Sequence, residues 1–314
     1  MNLHLNKRLF GEMVSVVAQD KKINPVFIEK DYWISYVLNQ LSKSEYAVHA
    51  VFKGGTSLSK GYQLIDRFSE DIDIAIIESA AKSGNPMRKL IRHIEKIMTV
   101  GLTEVTVDGI TAKKGKNRKT VHEYESGVQK NKKDKLIVEI NAFANPFPYE
   151  LKNISSFIHD FIVTTDRTSM IDEFELNPFK INVLSKNQTL LEKLVSLIRH
   201  SQVDNYIPSI ASKIRHFYDI YFLLNDKDCK SFIHSNEFKK RFFKLLEHDK
   251  DIFDEPISWS ERPLLESPLL VNFDFCWKSL KRTYSSELSQ LAYSEIPNEK
   301  AIFDSFKKLL DIIS

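Results

Sequence analysis

The chain has 314 residues, 45 of them basic and 42 acidic, for a net charge of +3, and 42% are hydrophobic. That size suits two ordinary domains with packed cores, and the near-balanced charge says little about partners. Cys229 and Cys276 are too few for a disulfide framework or a zinc cluster. With no signal-peptide core at the N-terminus and no apolar run near the ~20 residues of a membrane span, a cytoplasmic protein away from membranes is expected.

In chain order, residues 3–20 have helical period through Leu3, Leu5, Leu9, Met13, Val16 and Val17. A second helix begins at Asn24-Pro25, a good cap followed by a residue suited to the first helical position. Trp33, Val37, Leu38 and Leu41 give it an apolar stripe. Residues 49–52 read as a strand entering Gly54-Gly55, followed by a turn and helix and then a strand over 71–77. Residues 86–98 form an amphipathic helix; strands follow near 104–107, 121–124, 136–140 and 179–184. After Ser185 the period becomes helical over 187–203, 210–225, 236–248 and 299–313, with an irregular link over 254–273. The expected class is α+β: a mixed sheet flanked by helices in residues 1–185, then an all-helical domain in 186–314.

Residues 113–135 hold nine Lys or Arg and three acids, a net of +6. Such a field attracts phosphate backbones, and Lys113, Lys114, Lys116, Arg118 and Lys119 are its expected contacts with a nucleic-acid backbone. The alternative is a solvated hairpin whose lysines keep it soluble.

The most informative stretch is KGGTSLSKGYQLIDRFSEDIDIAII, residues 53–77. Strand alternation puts Asp71 and Asp73 on one face, joined by Ser69 if the strand reaches back that far, with Ile72, Ile74 and Ile76 on the other. The two carboxylates then lie roughly 6.6 Å apart along the strand. At an effective dielectric of 20 they repel by about 2.5 kcal/mol, which a divalent cation between them would relieve. Gly54-Gly55 allows close backbone approach to a phosphate, Thr56 and Ser57 add hydroxyls, and Lys60 or Arg67 can neutralise charge. Separately, a Gly-Gly turn and an Asp-x-Asp strand are common; in this order they point to a metal-dependent phosphoryl-transfer site. Glu139, in the apolar strand 136–140, is the candidate third ligand, or else a carboxylate at a solvated edge.

In the helical half, Lys193 lies just off the apolar arc of 189–202, either over a ligand or snorkelling to solvent. Asp219 sits inside the apolar run KIRHFYDIYFLL, where a carboxylate must be paired, metal-bound or neutralised. Arg215 four residues earlier is its candidate partner; the other reading is a general base acting on an attacking hydroxyl.

Taken together, KGGTSLSKGY…RFSEDIDI, VEIN, LLEKLVSLIRH and RHFYDIYFLL, with IEKDYWISYVL before them, resemble the AbiEii-type nucleotidyltransferase toxins over about residues 26–225. The resemblance implies a polymerase β-like nucleotidyltransferase domain followed by a helical domain, with Mg²⁺ or Mn²⁺ on Asp71 and Asp73 and an NTP as substrate. Lys193 matches a nucleotide-contacting lysine and Asp219 a late catalytic aspartate. Ser69 matches a serine that in some relatives accepts phosphate when the partner protein silences the toxin. The family acts in toxin–antitoxin and phage-defence systems, and characterised relatives add nucleotides to tRNA 3′ ends. The expectation is thus NMP transfer to RNA, tRNA first, with a cognate antitoxin as partner. A protein or small-molecule acceptor, or a non-catalytic nucleotide-binding module, are the rivals.

Overall fold

The computed structural model describes every residue except Met1, Glu70, Glu78, Ser79, Lys82, Lys130, Asn145, Ser258 and Ser314. The chain divides into two compact units, one of Met1–Gln63 with Phe68–Leu184, the other of Leu64–Arg67 with Ser185–Ser314.

The first unit opens with α1 (Lys7–Lys21) and α2 (Pro25–Ser42). The helical period of 3–20 is interrupted at Asn6, whose side chain accepts from Leu9 N and starts α1. Asn24 caps α2 by accepting from Val26 N at 3.0 Å, with Pro25 in the first turn. Then come β1 (Ala50–Lys53), α3 (Gly54–Lys60), β2 (Asp71–Ile76), α4 (Asn85–Met98), β3 (Thr103–Val105), β4 (Ala112–Lys113), β5 (Asn117–Glu125) and β6 (Lys133–Asn141). Finally β7 (Tyr149–Ile154), α5 (Phe157–Thr164), α6 (Ser169–Glu173) and β8 (Phe179–Leu184) complete it. β7, α5 and α6 have no counterpart in the sequence reading.

The sheet runs β3-β5-β6-β2-β1-β8-β7, with β4 on β5. β2 is parallel to β6 and antiparallel to β1, while β1 is parallel to β8. Its pleat sorts residues cleanly: Phe52, Ile74, Ile140 and Arg118 stand in register on one face, Lys53, Asp73, Glu139 and Lys119 on the other. Ile72, Ile74 and Ile76 are fully buried, whereas Asp71 and Asp73 are half-buried. α2 and α4 pack on β6. Glu95 of α4 pairs with Arg118, so α4 covers the isoleucine face and leaves the carboxylate face to other work.

The β5–β6 register that aligns Lys119 with Glu139 is pinned at its turn. The buried Glu29 of α2 accepts from Gly127 N at 2.6 Å and from Ser126 Oγ at 2.7 Å. Slippage by one residue would break both bonds and move Lys119 to the wrong face.

In the second unit Ser185 caps α7 (Lys186–Ser201), and α8 (Tyr206–Ala211), α9 (Arg215–Asn225), α10 (Lys227–Ile233) and α11 (Asn236–Ile252) follow. α12 (Pro268–Val271), α13 (Phe273–Leu291) and α14 (Glu299–Ile313) end the chain. Leu190, Leu191, Leu194, Val195, Leu197 and Ile198 of α7 are all fully buried, as their arc predicts. The single helix expected over 210–225 is two, α8 and α9, and α13 fills ground the sequence pattern does not assign. Phe217 packs against Trp277 and Phe306 at ring separations of 5.3 and 4.7 Å, joining α9 to α13 and α14. The short segment Leu64–Arg67 belongs here because Arg67 bridges to Ala292 and Tyr293 N donates to Asp66 O. Among the described residues no helix is long and apolar enough to cross a membrane.

Candidate active site

Four charged residues form one row across four strands of the first unit: Lys53 opposite Asp73, Asp73 opposite Glu139, Glu139 opposite Lys119. Asp71, two residues from Asp73, shares their face. Lys119 Nζ lies 3.2 Å from Glu139 Oε2 and 3.4 Å from Asp71 Oδ2. Burial, followed by repulsion from Glu139 and Asp71, pushes the Asp73 carboxyl up to about 7, against the pull of Lys53 and Lys119. Burial alone would lower the Lys119 ammonium, but Asp71 and Glu139 outweigh it and raise it.

This is a carboxylate trio with less positive charge beside it than it needs. Among the described residues no three His, Cys, Asp or Glu side chains close around one point, and the Lys119 ammonium lies between Asp71 and Glu139. The donor set is still the hard-oxygen kind that Mg²⁺ and Mn²⁺ take. Burial first, and then the anionic neighbours, hold the Asp73 carboxyl protonated to near neutrality, and a divalent ion beside it would relieve that repulsion. The residues fit the ion.

The glycine turn serves Asp73 directly. Gly54 opens α3 at φ +78, and a β-carbon there would overlap Oδ2 of Asp73 and lie 3.0 Å from its Cγ. The turn is therefore tight because a carboxylate lies against it, and Gly55 follows it half-buried. The two hydroxyls face inward. Thr56 Oγ1 donates to Asp71 O at 2.7 Å, fastening α3 to the start of β2. Ser57 Oγ donates to Gly54 O at 2.8 Å and is fully buried. Both hydroxyls therefore donate to backbone carbonyls, of β2 and of the turn itself.

Lys60 is also placed elsewhere. Its Nζ sits 2.5 Å from Asp31 Oδ1, with both side chains at most 7% exposed, and Asp31 Oδ2 accepts from Phe157 N. That buried pair ties α3 to α2. Ser69 precedes β2, which begins at Asp71, so it is not part of the strand face. It is half-buried, and among the described residues its hydroxyl makes no hydrogen bond.

The second unit holds its own charge cluster. Asp219, fully buried on α9, accepts from Arg67 Nε at 2.7 Å and Nη2 at 2.6 Å, a bidentate fork, and Lys193 Nζ lies 2.7 Å from Oδ2. Its partners are thus Arg67 and Lys193, not Arg215. Burial would raise the Asp219 carboxyl, but Arg67 and then Lys193 hold it far below its usual range. His216 beside it is kept neutral by burial and by Lys193. Arg67, marked in the sequence as a charge-neutralising cation of the 53–77 stretch, reaches Asp219 across 152 positions, a pairing that local pattern does not show.

The five expected RNA contacts are split by the pleat. Lys119 belongs to the carboxylate row. Arg118, on the other face, pairs with Glu95 and lies 3.7 Å from Glu104, and Lys113 pairs with Glu104 at 2.5 Å. Lys114 and Lys116 are exposed.

Residues 36–310 match the family model described as nucleotidyl transferase AbiEii toxin of the type IV toxin–antitoxin system. The chain belongs to this family. AbiEii membership makes it a nucleotidyltransferase toxin, and implies a nucleotide substrate and an antitoxin partner. The match continues well past residue 225, where the recognisable motifs end, so most of the C-terminal helices are part of the family's common structure too. Among solved structures the AbiEii fold is shared with MenT4, a nucleotidyltransferase toxin from Mycobacterium tuberculosis H37Rv, at 14% identity and a TM-score of 0.55, over 96% of this chain and 89% of that one. No curated protein sequence matches the chain.

Proposed function

We propose that this AbiEii-family enzyme transfers a nucleotidyl group from an NTP to the 3′ hydroxyl of an RNA, the new oxygen–Pα bond replacing the Pα–O–Pβ bond with release of pyrophosphate, tRNA being the first acceptor to test, with Mg²⁺ or Mn²⁺ held by Asp71, Asp73 and Glu139. The observation that supports it most is the in-register row Lys53–Asp73–Glu139–Lys119, with Asp73 pushed up to about 7. A divalent ion at such a site supplies positive charge to phosphoryl oxygens and acidifies a hydroxyl beside it.

The chain's own residues do the rest. Gly54 lets the backbone lie against Asp73 and fixes the direction of its carboxylate, and Thr56 holds the start of β2 in place. Glu139, 23% exposed, is the carboxylate we assign to taking the proton of the attacking hydroxyl. Asp219 is a weak base between two cations. We assign it to orienting Lys193, the proposed phosphate contact of the second unit, with Arg67 holding Asp219. Ser69, half-buried beside the start of β2, is a further candidate contact for phosphate.

The test is incubation of the protein with each of four labelled NTPs, Mg²⁺ or Mn²⁺, and total RNA. Label on RNA 3′ ends is expected, lost in Asp71→Ala and in Asp73→Asn. Label on protein, label on a small molecule, or label on RNA that survives both substitutions counts against the reading.

A further inference from the structure

The face of the sheet opposite the carboxylates carries a strongly basic groove of about 380 Å³, lined by Arg88 and Arg92 of α4, Lys113 of β4, Lys114 and Gly115 between β4 and β5, and Arg118 of β5. Arg88 and Arg92 are four residues apart on one helix and so adjacent on its surface. Lys113 and Lys114 form the opposing bank. Two of the five cations are balanced: Arg118 by Glu95 and Lys113 by Glu104. Arg88, Arg92 and Lys114 make no ion pair among the described residues, and all three are exposed. The Arg88 guanidinium lies over Gly115, with Nη2 2.9 Å from where a β-carbon would be.

From this groove we infer a phosphate-backbone site that grips the RNA acceptor away from its reacting end. The inference rests on the proposed RNA acceptor and deepens it. One observation favours a nucleic acid over an acidic protein, since paired guanidinium forks at helical spacing bind phosphates and carboxylates alike in two-point fashion. Apart from Ile91 the groove has no apolar lining, whereas protein interfaces rely on buried aromatic or aliphatic anchors. The pleat adds a geometric consequence. Arg118 and Lys119 are sequence neighbours on opposite faces of β5, so RNA held in this groove reaches the carboxylate row only by passing round the sheet. The site therefore reads the body of a structured RNA, and a short single-stranded oligonucleotide that fills the carboxylate side gains nothing from it.

The deciding measurement is binding of fluorescein-labelled tRNA by anisotropy over a salt series, for wild type, Arg88→Gln/Arg92→Gln and Arg88→Glu/Arg92→Glu. The double glutamine variant is expected to weaken tRNA binding about tenfold or more. It should also flatten the slope of log Kd against log salt by roughly 1.5–2, because two phosphates are no longer neutralised. Its melting temperature and its affinity for NTP stay at the wild-type level, since both arginines are exposed and lie off the carboxylate face. Unchanged tRNA affinity and salt slope in a folded double variant overturns the inference. So does loss of binding to a polyglutamate probe with tRNA binding intact, which would mark an acidic protein as the occupant, or loss of NTP binding with tRNA binding intact, which would mark a nucleotide site. Label transfer separates this from the reading beneath it. RNA labelling with no effect of the arginines on tRNA binding refutes the groove alone. Arginine-dependent tRNA binding with no RNA labelling by wild type supports the groove and refutes the acceptor.

Discussion

Gly54 and Asp73 touch so closely that a β-carbon on the first would overlap a carboxylate oxygen of the second. Two penalties fall on Gly54→Ala: a left-handed φ of +78 that alanine adopts at a cost of about 1–2 kcal/mol, and displacement of the Asp73 side chain. The expected outcome is a melting temperature lower by a few degrees and label transfer at least 100-fold slower, because the carboxylate leaves the row it shares with Glu139. A variant that melts lower yet transfers label within twofold of wild type would show that Asp73 tolerates displacement and would detach the glycine turn from the chemistry.

The elevated Asp73 carboxyl gives the metal-free protein a characteristic pH response. Its folded value, about 7, lies above the ordinary 3.8, so the folded state binds a proton that the unfolded chain has released. The associated stability is complete below pH 4 and is lost as pH rises through 7. Metal-free melting temperature should therefore decline over that window, Asp73→Asn should remove most of the decline, and millimolar Mg²⁺ or Mn²⁺ should restore stability at pH 7.5 in wild type only. A flat profile in wild type would mean that burial and the neighbouring Glu139 and Asp71 do not raise Asp73.

Much of this site was legible in sequence because it depends on period. The alternation Asp71-Ile72-Asp73-Ile74 sorted carboxylates from core residues, and the cap Asn24-Pro25 marked the helix that packs on β6. What local pattern could not reach was set by register and by long-range pairing. Lys119 looked like one lysine of a basic hairpin; only the turn held by Glu29 puts it opposite Glu139. Thr56, Ser57 and Lys60 had the right chemistry for phosphate, but whether a hydroxyl points out or back onto its own turn depends on packing. Similarly, a single boundary near residue 186 omitted the four residues Leu64–Arg67, whose charge answers a carboxylate 152 positions away.

That carboxylate makes a separable prediction. Arg67→Ala leaves Asp219 buried beside Lys193 without the guanidinium fork, and removal of one side of a buried pair typically costs 3–5 kcal/mol. Asp219→Asn should cost less, since the Arg67 fork keeps an acceptor oxygen to share. If Asp219 only orients Lys193, Lys193→Ala and Asp219→Asn will slow label transfer similarly, and the double variant will be no slower than either. A double variant much slower than both singles would give Asp219 a role of its own.

Lys60 offers a control for the nucleotide assignments. Lys60→Met removes the ammonium from Asp31, so a stability loss of about 3–5 kcal/mol is expected by chemical denaturation. The KM for NTP, measured on the folded fraction well below the melting temperature, should stay within twofold. A large rise in KM without loss of stability would return Lys60 to the phosphate site.

Lys119 sets the sharpest test of the carboxylate row. Its ammonium lies within 3.4 Å of two of the three carboxylates proposed to hold the metal, so it neutralises them and opposes any second cation drawn to the same place. A single positive charge a few ångströms from a divalent ion repels it by about 1–2 kcal/mol even at the dielectric of water, or roughly a tenfold change in affinity. Lys119→Gln should therefore bind Mn²⁺ several-fold more tightly, as read from free-ion electron paramagnetic resonance at pH 7.5. Its metal-free melting temperature should fall, since Asp71, Asp73 and Glu139 then repel one another without their nearest counter-ion. Were Mn²⁺ affinity to drop instead, the lysine would be organising the ligands rather than competing with the ion. If both affinity and stability stayed unchanged, the lysine would be a bystander.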